Sequence, residues 1–226
     1  DAGHLPPRVL SRSPGLVNLL AALLSVALLA TPRTALAARY TLIGWNNLGM
    51  HCMDGDYSVL SLLPPYNTIH AQLVSPTGAL IDDPAAAGIT VTYRAVADPS
   101  GSINTTSLNK TNFWMHVDEL FGASLSVNAG LAGFDMPGAP GASRAMKWDA
   151  TQHWFYAEGI PITPYDDQGR KNYYPMMRLE ARNAAGTLLA STDIVLPVSD
   201  EMDCSACHSA TSGPAAKPAQ GWSSDP

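Results

Sequence analysis

Apolar and polar residues alternate along several stretches of the chain, and a period of two is the mark of a half-buried strand. Between Tyr66 and Val74, Ile69, Ala71 and Leu73 fall on one face and Thr68, His70 and Gln72 on the other. Between Gly88 and Val96, Ile89, Val91, Tyr93 and Ala95 share a face. Tyr40 to Trp45 predicts a first strand. Tyr174–Asn183 and Thr187–Leu196 flank Ala184-Ala185-Gly186 and predict a hairpin. Turn clusters at Pro64-Pro65, Asp82-Asp83-Pro84, Asp98-Pro99-Ser100-Gly101 and Asp166-Asp167-Gln168-Gly169 separate such runs. Helical spacing occurs at Phe113, Val117, Leu120 and Phe121, opened by Thr111 or Asn112 and closed by Gly122. A shorter helical piece is expected after Asp149, and Gly130 to Ser143, rich in Gly, Pro and Ala, predicts a long surface loop. Strands between turns, with one or two short helices inserted, predict a mainly β, antiparallel sandwich-like domain.

The two ends have a different texture. Arg8 and Arg12 precede an apolar run from Leu16 to Ala30, and Ala35-Leu36-Ala37 supplies small residues for cleavage, so residues 1–37 read as a secretory signal peptide. The run has 15 residues, short of the roughly 20 that cross a bilayer; an uncleaved anchor is the rival reading and the one route to a membrane. Residues 38–198 form the β-rich domain, 199–208 a segment with chemistry of its own, and 209–226 a Ser-, Ala- and Pro-rich linker or tail.

Composition narrows the function. The 226 residues hold 13 Lys and Arg against 19 Asp and Glu, a net charge of −6, which argues against nucleic acid as a partner. A hydrophobic content of 46% excludes wholesale disorder. Three cysteines are too few for a disulfide scaffold, in a compartment that oxidises thiols.

Two of those cysteines lie in Cys204-Ser205-Ala206-Cys207-His208, a C-x-x-C-H pattern. Thiols at this spacing reach the two vinyl groups of one haem, and the adjoining His208 lies under the iron as proximal ligand. A redox dithiol usually opens a helix inside a thioredoxin-like βαβ unit, whereas this motif follows the end of a β domain. Zinc needs a second Cys or His pair, and none exists. The expected cofactor is haem c, held by Cys204 and Cys207.

Other donors carry weaker signals. Met50-His51-Cys52-Met53 gathers soft and imidazole ligands after the first strand, in an order unlike that of a copper site. No Met or His follows His208, so a distal ligand supplied by this chain comes from upstream, and His51 on its loop is the first choice, with His153 the second. Cys52 is expected to be buried. His70 on a strand and His116 on a helix read as packed or surface residues, the aromatic run beside His153 as core, and Met176-Met177 as core filling. Asp54-Gly55-Asp56 and Asp166-Asp167 read as turns, since neither has the full series of a calcium loop.

Cys204 to His208 resembles the haem site of c-type cytochromes. Leu196-Pro197-Val198-Ser199-Asp200-Glu201-Met202 and Trp45-Asn46-Asn47-Leu48-Gly49-Met50-His51-Cys52-Met53 are similar to segments of larger exported c-type cytochromes with an N-terminal β domain. The resemblance implies an exported, periplasmic electron carrier rather than an enzyme, working with a redox partner protein, in some relatives with further haems downstream. The alternatives are an exported β-sandwich binding module with an appended haem segment, and a peroxidase- or reductase-type haem enzyme with an open iron position.

Overall fold

A computed structural model describes residues 39–58 and 60–202, with Gly3 and Gly213. Among the described residues the chain forms β1 (Thr41–Asn46), β2 (His51–Asp54), β3 (Tyr66–Val74), β4 (Ile89–Val96), α1 (Phe113–Phe121), β5 (Arg144–Ala145), β6 (Lys147–Asp149), β7 (Trp154–Pro161), β8 (Met176–Asn183), β9 (Leu188–Val195) and β10 (Val198–Met202). Two four-stranded antiparallel sheets, ordered β1-β3-β7-β6 and β5-β4-β8-β9, share one core, and β2 with β10 forms a separate two-stranded ribbon. The protein is mainly β and sandwich-like, as the alternation predicts.

Inward residues of the two sheets meet as period 2 requires. Ile69, Ala71, Leu73, Phe155, Ala157 and Ile160 face Val91, Tyr93, Leu179 and Ala181 in a common buried cluster. The sheets approach closely at Gly44 of β1, where a Cβ would lie 2.4 Å from Leu179 Cδ1 and 3.0 Å from Ile194 Cγ2. The expected hairpin is β8–β9, closed by hydrogen bonds from the Ala185 and Thr187 N–H groups to Asn183 Oδ1.

Helix α1 buries Phe113 and Val117, with the Phe113 ring 5.0 Å from Tyr57 and 5.4 Å from Tyr66. Of the two expected caps, Thr111 Oγ1 accepts the Phe113 N–H, whereas the Asn112 side chain bridges Tyr57 N–H and Asp56. The helical piece expected after Asp149 is absent. Residues 150–153 instead make the tight turn of the β6–β7 hairpin. Asp149 Oδ1 accepts the Thr151 and Gln152 N–H groups, and His153 at φ 56° turns the chain back. Gly130 to Ser143 is irregular, as expected, yet it contributes Phe134 and Met136 to the core.

Candidate functional site

Cys204, Cys207 and His208 lie outside the described residues, but the strand that leads to them does not. Leu196 and Val198 are fully buried, and their N–H groups donate to Pro175 O and Tyr173 O. From there β10 runs parallel to β2, pairing Val198 with His51, Ser199 with Cys52 and Met202 with Asp54. Strand pairing therefore continues to Met202, two residues before Cys204. The Asp200 carboxylate fastens β10 to the preceding loop: it accepts the Tyr165 hydroxyl and pairs with Lys171. Burial works against its charge, but these donors outweigh burial and hold its pKa below the usual carboxylate value.

The cluster after β1 is a strand and not the flexible loop expected of it. Gly49 turns the chain, β10 pairs with it, and alternation then sorts its side chains. His51 and Met53 point inward and Cys52 points out. His51 is 7% exposed and its Nε2 lies 2.9 Å from Pro64 O. Burial lowers the His51 pKa, with the Pro64 bond opposing. Cys52, expected to be buried, is an exposed free cysteine, because its neighbours on either side take the inward places. Met50, Cys52, Tyr173, Tyr174, Ser199 and Glu201 line a cleft of about 220 Å³ on the outer face of the ribbon. Met50 and Tyr174 are among the exposed large apolar side chains of the protein.

The acidic pairs behave as turn residues. Asp54 is fully buried and its Oδ2 accepts the N–H groups of Leu62 and Leu63 at 2.8 and 3.0 Å. Asp166 accepts the Gln168 and Arg170 N–H groups, the Ser102 hydroxyl and the Arg170 guanidinium. Asp167 pairs with the buried Lys110, which also donates to Asn104 Oδ1. Among the described residues, no three His, Cys, Asp or Glu side chains are gathered as a metal site.

A second cluster lies elsewhere, around His70. The run at Trp154-Phe155-Tyr156, expected to be core, is split by the strand: Phe155 is buried and Trp154 and Tyr156 face outward. His70 stands 4.5 Å from the Trp154 ring and 5.7 Å from Trp45, with the two tryptophans 6.0 Å apart. Asn47, Thr68, His70, Asp149, Trp154, Tyr156 and Glu158 line a cleft of about 340 Å³ there. Trp154, Tyr156 and Glu158 at i, i+2 and i+4 were the sequence signal for it. His116 has no place in either cleft, and His153, at the β6–β7 turn, lies edge-on to Trp148 with ring centroids 6.3 Å apart.

Fold and site together define a sandwich-like β protein whose last described strand leads to a C-x-x-C-H sequence. The chain matches no protein family, and neither a curated protein nor a solved structure is significantly similar to it.

Proposed function

We propose that the protein is an exported c-type haem protein that carries electrons, with haem c held by Cys204 and Cys207 and His208 as the proximal ligand. The observation that carries this reading is the C-x-x-C-H sequence that begins two residues beyond β10. When haem is bound, each thiol would add its S–H across one vinyl group, giving two thioethers with no change of oxidation state. The bound haem supplies a one-electron couple. The residues nearby fit such a group: Met50, Tyr173 and Tyr174 present apolar surface on the outer face of the ribbon that ends at Met202. Buried Leu196 and Val198 and the Asp200–Lys171 pair give the segment a rigid root, and the exposed ribbon face is where a redox partner protein docks.

If the chain furnishes its own distal ligand, His51 is the proposed one; because its ring lies inward on Pro64 O, away from the outer face of the ribbon, ligation through Nε2 would require β2 to open and give up that bond. The test is co-expression with a haem-maturation system, followed by acid–acetone extraction. Colour should stay on the protein, and Cys204→Ala with Cys207→Ala should abolish it; a colourless wild-type chain rejects the reading. On the loaded protein, His51→Ala should convert a low-spin spectrum to a high-spin one. An unchanged low-spin spectrum rejects His51, and Met53→Ala and His153→Ala are then read in the same way. A five-coordinate iron that binds peroxide would instead support the enzyme alternative.

A further inference from the structure

The outer face of an antiparallel sheet normally carries scattered charged and polar side chains. On the β1-β3-β7-β6 sheet it carries three rings in mutual contact, Trp45, His70 and Trp154, with Tyr156 beside them and two carboxylates at the rim. We propose that this cleft binds a small organic cation, an alkylated ammonium group, between the aromatic faces and the carboxylates of Asp149 and Glu158. The proposal does not depend on the haem.

Several observations converge on it. The register places these side chains on one face: Trp45 opposite His70, His70 opposite Tyr156, and Asp149 opposite Trp154. A bulge in β7 sets Glu158 and Gly159 against the single residue Thr68, since Asn67 pairs with Ile160 and Ile69 with Ala157. Gly159 takes φ 72°, and its N–H donates to the Thr68 hydroxyl at 3.2 Å. Alternation along β7 brings Glu158 to the cleft beside Tyr156, and the bulge, of a kind found beside binding sites, breaks the alternation there. Glu158 is exposed and has no ion-pair partner among the described residues. Every charged side chain lining the cleft is an acid. Lys147 shares this face opposite Tyr156, but its ammonium lies 4.8 Å from the Phe134 ring and does not line the cleft.

His70 completes the site. Its Nδ1 is closed off from solvent and has no hydrogen-bond partner among the described residues. Burial lowers its pKa, and the nearby Glu158 and Asp149 only partly oppose this, so the imidazole stays neutral and does not supply the missing positive charge. Two carboxylates and the negative faces of the indole and phenol rings thus meet no cation in the cleft among the described residues. A quaternary ammonium satisfies both at once, because its charge is spread over methyl groups that pack on rings. A cleft of about 340 Å³ holds a ligand of that size.

The test is isothermal titration calorimetry of the full chain with choline, with its uncharged isostere 3,3-dimethylbutanol, and with glucose. Choline should bind with a Kd on the order of 1 mM, and the isostere and glucose at least about tenfold more weakly. Glu158→Gln and, separately, Asp149→Asn should each weaken choline about threefold or more. Both variants retain the backbone hydrogen bonds of the fold. Absence of choline binding up to about 50 mM, equal binding of the isostere, preferential binding of glucose, or choline affinity indifferent to both substitutions each overturns the proposal.

Discussion

A single carboxylate sets the course of the chain after β2. Asp54 is fully buried and holds two peptide N–H groups of the returning loop, those of Leu62 and Leu63, while the Tyr57 hydroxyl donates to Leu63 O. Removing the acceptor strips both part-buried N–H groups of their charged partner and leaves a gap where a fully buried side chain stood. Asp54→Ala should therefore lower stability by about 3 kcal/mol, read as a fall in the denaturant midpoint at constant slope. Asp54→Asn, which keeps an acceptor oxygen, should lose less. That Asp54-Gly55-Asp56 makes a turn was legible from residue type, since these side chains favour turns. Its partners were not, because they are fixed by where Pro64 and Pro65 lead the chain back into β3. The same holds for His51. Its identity as a donor was visible, but its burial and its bond to Pro64 O depend on a strand far along the chain.

At the scale of elements, alternation was enough for β3, β4 and β8, because each presents several inward apolar residues in strict succession, while β9, with Ile194 as its one buried residue, was legible as the second arm of a hairpin. It failed for short or irregular pieces. β2 has four residues and mixes a histidine, a cysteine and an aspartate, so its strand character comes only from pairing with β10. β7 carries rings on both faces and a bulge near its end, which hid the period. The packing of one sheet on the other was also invisible, although a glycine in the first strand hinted at it. At Gly44 the methyl group of an alanine would enter the space of Leu179 and Ile194. Gly44→Ala should cost about 2 kcal/mol through overpacking, and the paired change Gly44→Ala with Leu179→Ala should cost less than the two singles added together. Simple additivity in thermal unfolding would show that β1 does not rest on β8.

For the molecule as a whole, the titrating groups divide by sign, and the division predicts how stability follows pH. His51 and His70 have pKa values below the 6.5 of a free imidazole, mainly through burial, so folding favours their neutral forms. That stability is complete above pH 6.5 and is lost as the pH falls below it, when the unfolded chain takes up protons that the fold resists. Asp166, Asp167 and Asp200 are pushed up by burial but pulled down further by their donors, and Asp193 is held down chiefly by Arg178. Their contribution is present above the ordinary value of 3.8 and disappears as the pH drops through their lower folded values. At the other end, burial raises Tyr57 and Tyr93 and lifts Tyr66 to about 12, so stability falls as the pH climbs past the 10 of an ordinary phenol. The net charge of −6 acts in the opposite sense in mild acid, since protonation relieves repulsion, but salt near 0.15 M screens charges more than about 8 Å apart. Burial of the two histidines should win. In the haem-free Cys204→Ala, Cys207→Ala protein at that salt, the urea midpoint should be flat between about pH 7 and 9. It should decline first near pH 6 and more steeply below about pH 4. A midpoint that rises from pH 7 to pH 5 would show that charge repulsion, not histidine burial, governs the acid side. Replacing His51 by Gln, which keeps a donor for Pro64 O, should shrink the first decline and leave the second in place.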